Sequence, residues 1–160
     1  MTTAQAPTDQ HRDAFFSARG TLQIIETLWE LGFYADRPYD GDREDLSTRA
    51  LAFAESEAWD LDDRDALGET VREYAQAMPL SVLVRSDWHA PGSASSYSQF
   101  ELLLSTGGPA VRIIGALDSY CDPYRPQLQY HDWGLEWTDH PEARHDPLQW
   151  FAAQFYFGEG

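Results

Sequence analysis

Hydrophobic positions repeat with one period in the first half of the chain and another in the second, and Pro79 marks the change. Phe15, Ala18, Leu22, Ile25, Leu28 and Trp29 recur at spacings of three, four and seven, the period of one buried helix face. Gly32 follows as a stop, because glycine accepts the left-handed conformation that ends many helices. Residues 36–45 read as a charged loop rich in turn formers: Pro38, Asp40, Gly41 and Asp42. Asp45 or Ser47 then caps a second helix carrying Ala50, Phe53, Ala54 and Ala58. A third helix is predicted over residues 62–78, with Leu67, Val71, Tyr74 and Met78 as its apolar stripe and Pro79 as its stop.

Beyond Pro79 the period falls to two. Residues 80–85, 97–104 and 110–117 are strand-like, with Val111, Ile113 and Leu117 as the odd positions of the third. Gly107-Gly108 between the second and third is a hairpin signal, and Pro109 opens the next strand where a missing N–H does least harm. Asp122-Pro123 marks another turn, and residues 127–133 a fourth strand. Asp146-Pro147 suits a helix start, with Asp as cap, and residues 148–157 form a last helix without a charged side chain. The expectation is an α+β domain over residues 11–160: three N-terminal helices, a four-stranded antiparallel meander and a C-terminal helix, the helices on one sheet face. Residues 1–10 are polar, lack the basic and apolar regions of a signal peptide, and read as a frayed, disordered end.

Composition adds a partner preference to that fold. At 160 residues and 42% hydrophobic content the chain can build an ordinary core, with roughly 70% of its unfolded surface buried. One cysteine, Cys121, allows no internal disulfide, which fits a reducing compartment such as the cytoplasm. No apolar run approaches the ~20 residues that span a bilayer. The unusual quantity is charge: 27 Asp and Glu against 11 basic residues, net −16, with every basic residue Arg and none Lys. Such a surface disfavours direct contact with nucleic acid or anionic membranes and favours basic partners. Salt adaptation or a GC-rich genome would produce the same bias.

Catalytic and metal chemistry find little purchase. The five histidines, His11, His89, His131, His140 and His145, include the fragments Asp87-Trp88-His89 and His131-Asp132, but no zinc, EF-hand or HExxH spacing. Cys121 sits beside Asp122, which opposes thiolate formation, and there is no GxSxG elbow. Residues 106–109 join two strands and lack the lysine of a phosphate loop, so they read as a hairpin. No catalytic, cofactor or metal residue is assigned. Trp133 and Trp137, flanking Gly134-Leu135-Glu136, are candidates for stacking on a base or sugar or on a partner's Arg, with closure of a core edge as the plainer alternative.

The candidate interface is acidic. Asp36, Asp40, Asp42, Glu44, Asp45, Asp62, Asp65, Glu69 and Glu73 fall within residues 36–73. On the third helix Asp65, Glu69 and Glu73 are four apart, with Asp62 three before them, a stripe of like charges about 6 Å apart along the axis. Such spacing is unfavourable for folding by a few tenths of a kcal/mol per pair. It imitates a phosphate backbone, which a basic nucleic-acid groove is built to bind. A solvated face is the plainer alternative.

The second half carries a resemblance. Leu103-Leu104-Ser105-Thr106-Gly107-Gly108-Pro109-Ala110-Val111-Arg112-Ile113, then Asp132-Trp133-Gly134 and Trp137, with the ending Phe155-Tyr156-Phe157-Gly158, resembles uncharacterised small accessory proteins of phages and conjugative plasmids. It covers residues 80–158, about half the chain, and leaves out the acidic segment. By class, it implies an anti-CRISPR or antirestriction type of protein: a non-enzymatic inhibitor that binds a basic nucleic-acid-binding surface of a host defence complex, a CRISPR effector first, and blocks target DNA. The charge-free last helix would then be a specificity contact, a homodimer contact or core. Two alternatives stand beside it. One is a ligand-binding or enzymatic domain with a site over the sheet near Arg85, Arg112, His131 and Trp133. The other is an accessory domain whose acidity reflects genome or salt.

Overall fold

The computed structural model describes residues 9–37, 42–93 and 96–158. Asp40 of the expected interface and residues 1–8 of the expected frayed end lie outside them. Four α-helices and a five-stranded antiparallel sheet form an α+β fold, with the helices before and after the sheet in sequence. No described helix is long and apolar enough to cross a membrane.

Helix α1, Asp9–Asp36, is the spine. Ala14, Ala18, Leu22, Ile25, Leu28 and Leu31 run down its buried face. It does not stop at Gly32. The Trp150 ring lies where a side chain at Gly32 would be, 2.8 Å from an added Cβ, so this glycine serves close packing and the helix passes through it. The end comes at Asp36, where Arg64 donates to the carbonyls of Tyr34 (3.1 Å) and Arg37 (2.6 Å) and satisfies orphan acceptors from another element.

A 3₁₀ turn, Arg43–Asp45, precedes α2, Thr48–Ser56. Ser47, not Asp45, caps α2: its hydroxyl accepts from Ala50 N (3.1 Å) and is itself held by the Glu30 carboxylate (2.8 Å). Ala58, expected in this helix, lies beyond it with φ +55°. Helix α3, Arg64–Ala77, starts after Asp63, whose carboxylate accepts from Ala66 N at 3.2 Å. Leu67, Gly68, Val71 and Ala75 are its buried face, and Gly68 faces Ala35 of α1. Phe53, Trp59 and Tyr74 meet edge to face at 5.4–5.7 Å between ring centres and clamp α2 to α3.

The sheet is a meander in the order β1-β2-β3-β4-β5: Ser81–Ser86, Tyr97–Ser105, Ala110–Leu117, Pro123–His131 and Thr138–Asp139. It has one strand more than expected, the short β5, which pairs with Gln129 and Tyr130. Strand β4 also begins at Pro123 rather than near residue 127. Two prolines hid that start. They are tolerated because a bulge sets Arg125 and Pro126 opposite Gly115, between the pairs Ile114↔Gln127 and Ala116↔Tyr124. Before it, the Asp118 carboxylate accepts from Tyr120 N (2.8 Å) and Asp122 N (3.0 Å), closing the turn in which Cys121 takes φ +62°.

Alternation gives the sheet two unlike faces. Phe100, Leu102, Val111, Ile113, Leu128 and Tyr130 are buried beneath α1 and α4. Helix α4, His145–Ala152, is shorter than expected: Asp146 lies in its first turn instead of capping it, and residues 153–157 leave the helix. Phe157 thereby reaches the sheet, 4.7 Å from the Phe100 ring, and is buried. Leu148, Phe151 and Ala152 of the charge-free segment are core, while Tyr156 is exposed.

Candidate functional site

The acidic residues gather around α3, as two cross-links arrange. Arg64 joins the start of α3 to the end of α1, where Asp36 is exposed. Arg43 donates to Asp62 at 3.0 Å and brings the 3₁₀ turn, with exposed Asp42, Glu44 and Asp45, to the same end. Asp45 is partly used there, accepting from Asp42 N at 3.1 Å. Asp62 is paired, so it belongs to the fold as much as to the surface. Asp65, Glu69 and Glu73 differ. They are exposed on the side of α3 opposite Leu67, Val71 and Ala75, and among the described residues none forms an ion pair or hydrogen bond through its carboxylate. The neighbouring arginines are engaged elsewhere: the Arg37 and Arg64 guanidinium groups lie 3.8 Å over the rings of Phe33 and Tyr34.

The two tryptophans do not join this surface. Trp133 is 86% exposed in the loop after β4. Trp137 stacks 4.0 Å from the guanidinium of Arg112, whose side chain points away from α1 and α4. Helix α3 packs on α1, while Trp137 lies with Arg112 on the outer face of the sheet.

What the outer sheet face holds instead is a concavity of about 510 Å³. Arg85, Arg112 and Arg125 line it with Glu101, over an apolar floor that includes Leu83 and Ile114. Arg112 is fixed: Nη1 donates to Glu101 (2.8 Å), Nε and Nη2 to Gln129 (3.0 and 2.9 Å), and Gln129 in turn donates to Asp139 of β5 (2.9 Å). Among the described residues Arg85 donates only to the neutral amide of Gln99. Arg125 sits at the bulge with φ +52°, a conformation that is unfavourable by about 1–2 kcal/mol for a residue bearing a Cβ. Of the four residues expected over the sheet, Arg85 and Arg112 converge. His131 reaches only Trp137 (4.2 Å, edge to face), and Trp133 is outside the concavity. Arg125, Glu101 and Gln129 were missed. Glu101 reaches Arg112 only through the β2–β3 register, which sets it opposite Ile114, and nothing local announces the bulge that delivers Arg125.

One histidine is perturbed. His140 is buried, stacked 4.5 Å from the Phe15 ring. Its Nδ1 accepts from Glu142 N (3.2 Å), which leaves Nε2–H to donate to Phe15 O (3.4 Å), so the neutral ring fits. Burial pushes its pKa below the usual histidine value. Beside it Arg19 and Glu142 form a two-pronged pair (2.8 and 2.6 Å), which holds the Glu142 carboxyl below its usual range. No three His, Cys, Asp or Glu side chains converge as a metal ion would need, among the described residues.

Comparison of the chain with protein-family models, with curated proteins and with solved structures found no match. The fold and two surfaces, one acidic and one arginine-lined, are what define its class: an α+β domain with unlike faces.

Proposed function

We propose that the chain is a non-enzymatic, cytoplasmic inhibitor that competes with nucleic acid for a basic groove on a partner protein, with α3 as the competing element. The observation that carries this reading is the row Asp65, Glu69 and Glu73, three carboxylates without a partner among the described residues, on the outer side of a helix that is clamped at both ends. A rigid row presents its charges without ordering them first, so association keeps more of its electrostatic gain. Asp36, Asp42, Glu44 and Asp45 extend the field at the N-terminal end, where it would steer encounter. The resemblance of residues 80–158 to phage and plasmid accessory proteins makes the nucleic-acid-binding subunit of a CRISPR effector the first partner to try.

The test is capture from a bacterial lysate on the immobilised chain, at low and high salt, with wild type and with Asp65→Asn, Glu69→Gln and Glu73→Gln combined. The reading expects a nucleic-acid-binding protein that salt releases and the triple variant fails to hold. Captured protein must also lose labelled DNA when the wild-type chain is added. A partner list unchanged by the three substitutions sinks the proposal.

A further inference from the structure

We infer that the outer face of the sheet is a binding site for a small organic anion, a carboxylate or phosphate head on an apolar body. The inference is independent of the role given to α3. Its first support is shape: a concavity of about 510 Å³ lies within the range of small-molecule sites, roughly 300–1,000 Å³. Among the described residues no helix covers it, because α1 and α4 pack on the opposite face.

Charge is the second support, and it runs against the rest of the molecule. In a chain of net charge −16, three of the 11 arginines meet here. Arg112 is balanced by Glu101. Arg85 and Arg125 form no ion pair among the described residues, so the concavity keeps two positive charges uncompensated. Steering by the overall field would repel anions, so a site that still concentrates arginine is matched to one by short-range, charge-assisted hydrogen bonds. The apolar floor of Leu83 and Ile114 favours a ligand with a hydrophobic body over bare inorganic ions.

Backbone geometry is the third. Glycine suits the left-handed residue of a bulge, yet Arg125 occupies it at φ +52°. Strain held at a concave surface is a mark of function when the side chain concerned points into it. Arg125 is the residue that lines the concavity there.

The experiment is an amide chemical-shift titration of the whole chain with benzoate, phenyl phosphate, inorganic phosphate and the neutral benzamide. Saturable shifts on β1 to β4 are expected with benzoate or phenyl phosphate. The stronger of the two identifies the head group, and benzamide and inorganic phosphate should bind at least about ten-fold more weakly. Arg85→Gln and Arg125→Gly should each weaken the anion by about ten-fold, while Arg49→Gln, on α2, leaves it unchanged. Arg125→Gly fits the backbone without strain, so its thermal midpoint should not fall, and lost binding cannot be laid to misfolding. Absence of saturable binding by both organic anions, equal binding of benzamide, or indifference to both arginine substitutions overturns the inference. So does a concentration-dependent mass increase that itself abolishes the shifts, since a second copy would then occupy this face.

Discussion

Glu69→Gln should make the protein more stable, although it removes a native side chain. Glu69 has Asp65 four residues before it and Glu73 four after, all exposed on the outer side of α3. Each like-charged pair at this spacing is unfavourable by about 0.2–0.5 kcal/mol, so neutralising the middle member relieves about 0.4–1 kcal/mol. Gln and Glu have nearly equal helix propensity and the shape is conserved, so the one opposing change is the lost attraction to Arg72 three residues on, unpaired among the described residues, which trims the gain toward the lower end. In a chain of this size the gain corresponds to a rise in Tm of roughly 1–4 °C. Urea unfolding followed by tryptophan fluorescence measures it. The same pair of curves in about 1 M salt should converge, because the Debye length there is about 3 Å, half the separation of the charges. A neutral or destabilising Glu69→Gln at low salt would mean that the carboxylate has a structural use. The stripe would then need no explanation beyond folding.

Other perturbations probe the fold. Gly115→Ala should be destabilising by about 1–3 kcal/mol, because its Cβ would lie 2.5 Å from the buried Phe100 ring and 3.0 Å from the Tyr124 carbonyl; denaturant midpoints check this. His140 gives a pH signature. Its folded pKa lies below the unfolded value, so between the two the unfolded chain binds more protons and stability rises with pH. The contribution is full above about pH 6.5 and is lost as pH falls through the folded pKa, a slope that His140→Gln should flatten. The Glu142 carboxylate, also depressed, acts in a lower window, below its unfolded pKa of 4.5.

Periodicity made most of the fold legible, and its failures have physical causes. The α1 and α3 stripes and the alternation through β3 were readable because each element buries one face. Gly32 misled because a glycine can serve either a helix end or a close helix contact, and only the position of Trp150 distinguishes them. Strand β4 starts earlier than its sequence suggests, because Asp122-Pro123 looks like a turn, and the bulge that admits the prolines lies opposite a glycine in another strand. The segment after Ala152 looked helical from composition, but burial of Phe157 on the sheet outweighs continuing the helix. At the candidate sites, the carboxylates of α3 were visible as spacing. The arginine-lined concavity depends on convergence from β1, β3 and the β4 bulge, a property of register that no single segment carries.

The distribution of arginine bears on whether the acidity is environmental. Genome composition or salt adaptation explains many carboxylates and no lysine, but neither sets which carboxylates receive a partner. Glu26, Asp62, Glu101 and Glu142 are each matched by an arginine from another element or loop. Arg72 shares α3 with Glu69 at a spacing that would allow a pair, and among the described residues it forms none. A surface acidic only by composition should respond alike wherever one charge is removed. Glu136→Gln, an exposed substitution on the sheet side, changes net charge as Glu69→Gln does. If partner capture falls with Glu69→Gln and not with Glu136→Gln, position matters beyond charge. Equal losses would return the acidity to the environment.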